Sequence, residues 1–505
     1  MSLQIGLFSL RILVLERQQV SKGKGIEVLF RQKFENLKTQ RSIRKNMKLK
    51  LFAFTFLTFC FTSVTGTPAA KAASLTTIIS GISNARGVSF GPDGTLYVAE
   101  PGVGGDGACQ PSPSTLFQPI CAGNSGSIVR VKPDGQTDRI FQNFQSLAEQ
   151  PSGNQGAGPS DLQFDSYGNA YLLTGYAGYP GNRDLGTFEL GKTYPLPPEQ
   201  LAVFPPSTVD NLLNTSNLAK LFKADLNTGE LTEIFDFAKY EIINNPDNGD
   251  VVTNPYDLSI SGDTAYVVDG GSNATYKVKL DGSAVTATAL PRNIITNPQL
   301  PELPPGGELP PGLISFLPPD ENGNPQISIQ SVPTGGTVGP DGALYVGEYS
   351  GFPYPQDKAR IFRIGEDGAP TVFAEGFNAI TELTFDKQGN LLVLQFSDLS
   401  QIASPDITNL PGSLIQLAPD GTRTTLVAAG EGLESADGLA IGSDNQIYVT
   451  TRGVGPENGS VVRVNRGAEP VPEPTSVLGV LALSAAGVGS KFKGKLKQLA
   501  QKVKA

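Results

Sequence analysis

The stretch VSFGPDGTLYVAE at residues 88–100 reads as a short strand, a Gly/Asp turn, and a second strand of the form Leu-Tyr-Val. Asp93-Gly94 supplies the positive-φ position that a tight hairpin needs. The pattern recurs as LQFDSYGNAYLLT (162–174), LSISGDTAYVVD (258–269), TVGPDGALYVGE (337–348), LTFDKQGNLLVLQ (383–395) and LAIGSDNQIYVT (439–450). A second hairpin follows the first five: residues 126–142, 219–235, 274–290, 359–375 and 412–428. The sixth unit yields only GSVVRV (459–464) and stops.

Six units of four strands, the last lacking one, predict an all-β chain, a six-bladed β-propeller of the NHL or lactonase-like kind. The missing strand is expected at residues 75–80 (LTTIIS), just before the first unit. Pairing it into the last unit closes the ring and removes exposed edges. The period varies because of three insertions. Residues 101–126 and 176–218 lie between second and third strands, and the Pro-rich 291–333 lies between units. In a propeller these loops open onto one face, where function is expected.

Composition narrows the chemistry. The 505 residues hold no His and no Trp. Without imidazole there is no Ser-His-Asp or Cys-His nucleophile system and no His metal ligand. The formal net charge of −9 averages unlike parts. Residues 1–46 hold ten basic and three acidic residues, and the last fifteen hold six Lys and no acid. Residues 73–470 hold 20 basic and 44 acidic residues, a net of −24. Such a middle repels nucleic acid and attracts cations, amines or basic partners.

Both ends look like addresses. Met47 opens a second N-terminus. Lys48 and Lys50 precede the apolar run LFAFTFLTFCFTSV (51–64), and Ala70-Lys71-Ala72 follows. That is the order of a signal peptide over 47–72, with cleavage after Ala72. Residues 1–46 then read as a misplaced start or an extension, leaving the propeller at 73–467. Segment 468–505 carries Val471-Pro472-Glu473-Pro474, a short apolar run (475–490) and a Lys-rich tail. This end resembles a PEP-CTERM sorting signal. The resemblance implies exosortase-type machinery, transient inner-membrane anchoring, and a Gram-negative or cyanobacterial host. Cys60 would leave with the signal peptide. Cys109 and Cys121 remain, and a disulfide is the natural reading for an exported chain.

Strand one of each unit begins near the channel on the loop-rich face, and strand two ends there. Aligned on Phe90, Phe164, Ile260, Val338, Phe385 and Ile441, the units place Gly87, Asp161, Asp257, Gly335, Glu382 and Gly438 three residues earlier. Asp437 is one step further back. Glu100, Asp269 and Glu348 stand at ends of second strands. These carboxylates, with Arg86 and Arg452 as counter-charges, are the candidate ligand or cation site. Clustered carboxylates need a cation, an Arg, water or a proton between them. Asp and Glu oxygens suit Ca²⁺, with Glu100, Asp161, Asp257 and Glu382 as candidate ligands. The Asp residues of the Pro-Asp-Gly turns (Asp93, Asp134, Asp341, Asp420) are expected to be structural.

The segments NARGVSFGPDGTLYVAEPGVGG, GPSDLQFDSYGNAYLLTG and ATYKVKLDG, with the Cys109–Cys121 loop, resemble the ScyD/ScyE family of secreted propellers associated with scytonemin gene clusters. The resemblance spans about residues 74–466. It implies an exported protein that binds a ligand or partner in the periplasm or envelope, linked to synthesis of scytonemin or another extracellular product. It supplies no catalytic residues. The rival expectation is a Ca-dependent lactonase or esterase using carboxylates at the mouth. A quinoprotein sugar dehydrogenase ranks below both, because its soluble forms lean on a catalytic His.

Overall fold

Each Gly/Asp turn closes as its residues dictate. At the first, Gly91 N donates to Thr95 O (2.8 Å), Thr95 N donates to Asp93 Oδ1 (3.0 Å), and Gly94 takes φ 83°. The Tyr of the following strand reaches back to the turn in several units. Tyr171, Tyr345 and Tyr448 each place Oη 3.1–3.2 Å from the Oδ2 of Asp165, Asp341 and Asp444. These turn carboxylates are occupied, as the sequence implied for Asp341.

The computed structural model describes residues 74–184, 212–301, 314–404 and 406–465. The chain divides into two units, Met1–Thr67 and Pro68–Ala505, and every described residue belongs to the second. Residues 1–46, the expected signal peptide with Ala72, and the expected sorting segment with Val471, Pro472, Glu473 and Pro474 lie outside the described residues. Among the described residues no helix is long and apolar enough to cross a membrane.

The described chain is all-β, in antiparallel sheets. It starts with β1 (Ser74–Ile82). A sheet follows from β2 (Val88–Phe90), β3 (Leu96–Glu100), β4 (Cys109–Pro111), β5 (Pro119–Val131) and β6 (Thr137–Glu149), in which β5 pairs with β3, β4 and β6. The next contains β7 (Pro159–Phe164), β8 (Ala170–Thr174), β9 (Lys220–Ala224) and β10 (Leu231–Asp236). Then come β11 (Pro255–Ser261), β12 (Thr264–Asp269), β13 (Ala274–Lys279) and β14 (Val285–Ala289). The Pro-rich insertion is more than a loop: β15 (Asn293–Thr296), β16 (Ile314–Leu317) and β17 (Gln326–Ile329) form a small sheet of their own. Period-2 alternation puts Ile295, Ile327 and Ile329 on one buried face, which turns the insertion into strands. Two further four-stranded sheets follow. One holds β18 (Pro333–Val338), β19 (Leu344–Glu348), β20 (Ala359–Ile364) and β21 (Pro370–Phe377). The other holds β22 (Ile380–Phe385), β23 (Leu391–Gln395), β24 (Ser413–Leu417) and β25 (Arg423–Val427). The last strands, β26 (Leu439–Ile441), β27 (Ile447–Thr451) and β28 (Gly459–Asn465), are completed by β1, which pairs from Ser74↔Asn465 to Ile82↔Gly459.

The sheets touch through their second-strand Tyr rings and the Phe that ends a neighbouring first strand. Tyr97 packs on Phe164 (5.2 Å), Tyr345 on Phe385 (5.0 Å) and Tyr448 on Phe90 (4.9 Å between ring centroids). First strands neighbour one another in the order β2, β7, β11, β18, β22, β26, and β26 again neighbours β2. Four of the six second strands are buried at every residue, as at Leu96–Glu100 and Leu391–Gln395, while Thr264, Tyr266 and Tyr448 in the other two are half-buried. Each such Leu or Val stabilises the fold by about 1.5–3 kcal/mol.

Cys109 lies opposite Cys121 in the β4–β5 pairing, and the two form a disulfide that closes the first insertion. The second insertion is anchored by a short helix, α1 (Gly181–Asp184). Its Arg183 is fully buried and donates to both Asp236 oxygens at 2.8 and 2.9 Å. Asp236 also caps α2 (Phe237–Asn244) by accepting from Lys239 N.

Candidate functional site: a loop-walled mouth above a carboxyl tier

Four first strands carry the same irregularity. The pairing register slips between Pro159 and Asp161, Pro255 and Asp257, Pro333 and Gly335, and Ile380 and Glu382. The extra residue in each slip is Ser160, Tyr256, Thr334 or Thr381. A bulge breaks strict alternation and re-aims a side chain. The result is two successive tiers. The outer one comprises Arg86, Ser160, Tyr256, Thr334, Thr381 and Asp437. The inner one, a residue later, comprises Gly87, Asp161, Asp257, Gly335, Glu382 and Gly438.

The outer Ser and Thr are spacers. Ser160 Oγ donates to Tyr256 O (2.7 Å), Thr381 Oγ1 to Ala436 O (3.0 Å), and Thr334 Oγ1 to Ile380 O. The other three residues form one constellation. Tyr256 Oη donates to Asp437 Oδ2 at 2.6 Å, and Arg86 Nη1 lies 3.8 Å from the same oxygen. The Arg86 guanidinium stacks on the Tyr256 ring, 4.3 Å from its centroid. Its Nε and Nη2 donate to Gly156 O, while Nη1 is buried without a hydrogen-bond partner. Burial pushes Asp437 up, against the pull of Arg86 and Tyr256. It also raises the Tyr256 hydroxyl well above its usual value. Burial alone would lower Arg86, but Tyr256 and Asp437 outweigh it and hold the guanidinium charged.

This constellation floors a cavity of about 170 Å³. Tyr349, Phe352, Tyr354 and Phe396 form one wall, with Tyr349 5.7 Å from Phe396 and 6.1 Å from Tyr354. All three insertions reach it: Phe117 from the disulfide-closed loop, Ala177 from the second, Gln330 and Val332 from the third.

The inner tier joins three carboxyls. Asp257 accepts from Leu258 N (2.8 Å) and Gly336 N (2.5 Å) and shares hydrogen bonds with Glu382 and Asp161. Asp161 accepts from Leu162 N (2.8 Å) and Gln163 Nε2 (3.0 Å), and Glu382 from Leu383 N (2.8 Å). Burial, then mutual repulsion, pushes Asp161 and Glu382 well above the carboxylate range. Burial also raises Asp257, to about 6, held there by its donors. Asp257 thus sits between two acids that burial and mutual repulsion both hold toward the protonated form. Gly87 makes room for this, since a Cβ there would stand 2.4 Å from Asp161 Oδ1. Beyond the tier a second cavity of about 510 Å³ runs past Ser89, Gln163, Thr337 and Thr384.

The remaining sequence candidates sit elsewhere. Glu100 is clamped by Arg139 (2.7 Å to Nε), Ser127 Oγ (2.5 Å) and Ser83 N (2.9 Å); despite burial, these donors bring it below the usual value. Glu348 binds Arg360 through Nε and Nη2 (2.7 and 2.5 Å) and accepts from Ser331 Oγ. Asp269 accepts from Thr253 Oγ1 and the amides of Asn254, Gly271 and Ser272, so it folds a turn. Arg452 is exposed and lies 3.6 Å from Glu434. The single acidic mouth expected from the sequence therefore resolves into an ion-paired floor, a proton-sharing tier and three structural acids.

The calcium set does not assemble as drawn. Glu100 is held by Arg139 apart from the other three, whose oxygens face backbone N–H donors and each other. Such an environment satisfies the three carboxyls through backbone donors and one another. Among the described residues no three His, Cys, Asp or Glu side chains form a metal-holding group. The residues missed by sequence reasoning are Tyr256 and the aromatic wall. Tyr256 was visible only as the residue before Asp257, and strict alternation pointed it away.

Neither a protein-family model nor a curated protein matches the sequence. Among solved structures, a glucose dehydrogenase is similar at 12% identity and TM-score 0.42, covering 78% of this chain and 100% of its own. The calcium-binding protein regucalcin of Agrobacterium tumefaciens is similar at 12% and 0.40, covering 79% and 97%. A streptogramin B lyase stands at 11% and 0.38, covering 78% and 98%. Likenesses at this level carry no argument about the chemistry of this chain.

Proposed function

We propose that this chain is an exported six-bladed β-propeller of the ScyD/ScyE type that holds a small ligand in its mouth. The single observation that carries this is the cavity in which three insertions and an aromatic wall enclose the Arg86–Tyr256–Asp437 floor. Among the described residues lining it, no Ser, Thr or Lys side chain is hydrogen-bonded to a carboxylate; Tyr256 is, to Asp437. The six-fold count is supported by the six repeats, the circular order of first strands, and β1 on β28. Export is supported by the signal-peptide order over 47–72, cleavage after Ala72, and the Cys109–Cys121 disulfide. The sorting element Val471-Pro472-Glu473-Pro474 supports recognition by exosortase-type machinery, transient inner-membrane anchoring, and release to the periplasm, outer envelope or exterior. The site then serves synthesis of an extracellular product, with scytonemin the instance the resemblance names. The net charge of −24 over residues 73–470 supports a reading without a nucleic-acid partner.

A calcium-dependent lactonase or esterase is the second reading, favoured by the convergence of Asp161, Asp257 and Glu382. One experiment separates the two. The full chain is given aryl esters and lactones with and without CaCl₂. The binding reading expects no turnover and no calcium-dependent change in Tm. Calcium-dependent turnover that disappears in Asp257→Asn overturns it.

A further inference from the structure

The mouth floor has already cancelled its own charge. Arg86 and Asp437 face each other across 3.8 Å, and Tyr256 Oη donates to the Asp437 oxygen nearest the guanidinium. What stays unmet is one donor group: Arg86 Nη1, buried with no hydrogen-bond partner, while Nε and Nη2 are committed to Gly156 O. A buried donor left unmet costs free energy, so the site is built to receive an acceptor. A charged acceptor fits poorly. An anion would leave the floor one charge in excess and would meet Asp437 and Asp250, which lines the same cavity. A cation would find Asp250 but would meet Arg86 at the floor.

The walls say what the acceptor is attached to. Tyr349, Phe352, Tyr354 and Phe396 stand edge to face, with interplanar angles of 58–88°. The cavity of about 170 Å³ is close to the volume, about 150 Å³, at which an apolar cavity accepts benzene. Resting on the ligand-binding reading above, we propose that the mouth takes an uncharged, flat aromatic compound bearing a carbonyl oxygen. The oxygen faces the Arg86 guanidinium and the ring lies against the Tyr349–Phe396 wall. The Arg86–Asp437 pair thus acts as a charge filter that rejects aromatic acids and amines of the same shape.

Four probes test this by saturation-transfer NMR on the full chain at pH 7: benzamide, benzoate, benzylamine and cyclohexanecarboxamide. Benzamide is expected to bind at least about tenfold more tightly than either charged analogue, the equivalent of 1.4 kcal/mol. It should also bind about fivefold more tightly than the non-aromatic amide. Asp437→Asn, which leaves the floor positive, should bring benzoate level with or ahead of benzamide. Arg86→Met should do the same for benzylamine. Tyr354→Leu, a wall change away from the ion pair, keeps the test alive if a floor variant does not fold. It should weaken benzamide and leave cyclohexanecarboxamide unchanged. If benzoate or benzylamine matches benzamide on the wild-type chain, the mouth remains a ligand site but the charge filter is wrong. If none of the four binds, the ligand-site reading falls and takes this inference with it.

Discussion

Arg86, Tyr256 and Asp437 stand one residue ahead of Gly87, Asp257 and Gly438, and that step separates two solutions to buried charge. In the outer tier opposite charges meet, and each partner counters part of the other's desolvation. In the inner tier like charges meet, and the group survives by keeping protons: Asp161 and Glu382 are pushed well above the carboxylate range. The outer tier leaves a donor open and lies under a cavity. The inner tier turns its oxygens to backbone amides and its own members. Charge density alone therefore does not mark the site; the unmet group does.

The sharpest way to break the contrast is to remove one partner above and one proton donor below. Arg86→Met should cost on the order of 3 kcal/mol, because Asp437 is left buried with only Tyr256; urea denaturation measures it. Steric damage comes next. Gly87→Val drives a side chain into Asp161 and should cost about 1–3 kcal/mol. Adding Asp161→Ala should return part of that loss, and a fully additive double variant would refute the packing of Gly87 on Asp161.

Glu382→Gln should be within about 1 kcal/mol of wild type at pH 7, since it replaces an acid held toward its protonated form. The difference should grow in favour of the variant on going to pH 9. The direction follows from linkage. The folded-state values of Asp161, Asp257 and Glu382 lie above their unfolded ones, so the folded state binds more protons. Their stabilisation is complete below about pH 4 and fades as pH rises through the folded values, that of Asp257 being about 6. Melting curves from pH 5 to 9 test it. A wild-type Tm that rises across that range, or a Glu382→Gln variant that follows the wild-type slope, would contradict proton sharing. The smallest effect is expected from calcium. Millimolar CaCl₂ should shift Tm by less than about 1 °C, because a cation must bind the folded state to stabilise it.

Much of this was legible in the sequence. The hairpins at 88–100 and its five counterparts announce themselves because turn chemistry and strand alternation are local. The same is true of the Cys109–Cys121 pair, two nearby thiols in a sequence read as exported. The acids of the inner tier were also found, from their fixed distance ahead of Phe164, Ile260 and Phe385. Glu100, Glu348 and Asp269 were misjudged because their partners, Arg139, Arg360 and the 253–254 and 271–272 amides, approach through folding. No spacing rule assigns Arg139 to a residue thirty-nine positions away.

The sequence by itself determined the repeat, the place of each hairpin turn, the acidity of residues 73–470, and the exclusion of imidazole chemistry. These depend on residue type and near neighbours. Only the tertiary structure decided which charges meet. Four bulges turned Ser160, Tyr256, Thr334 and Thr381 out of strict alternation, and Tyr256 and Asp437, 181 residues apart, became hydrogen-bond partners. A buried charge takes its character from the partner it is given, and that partner is chosen by how distant strands pack.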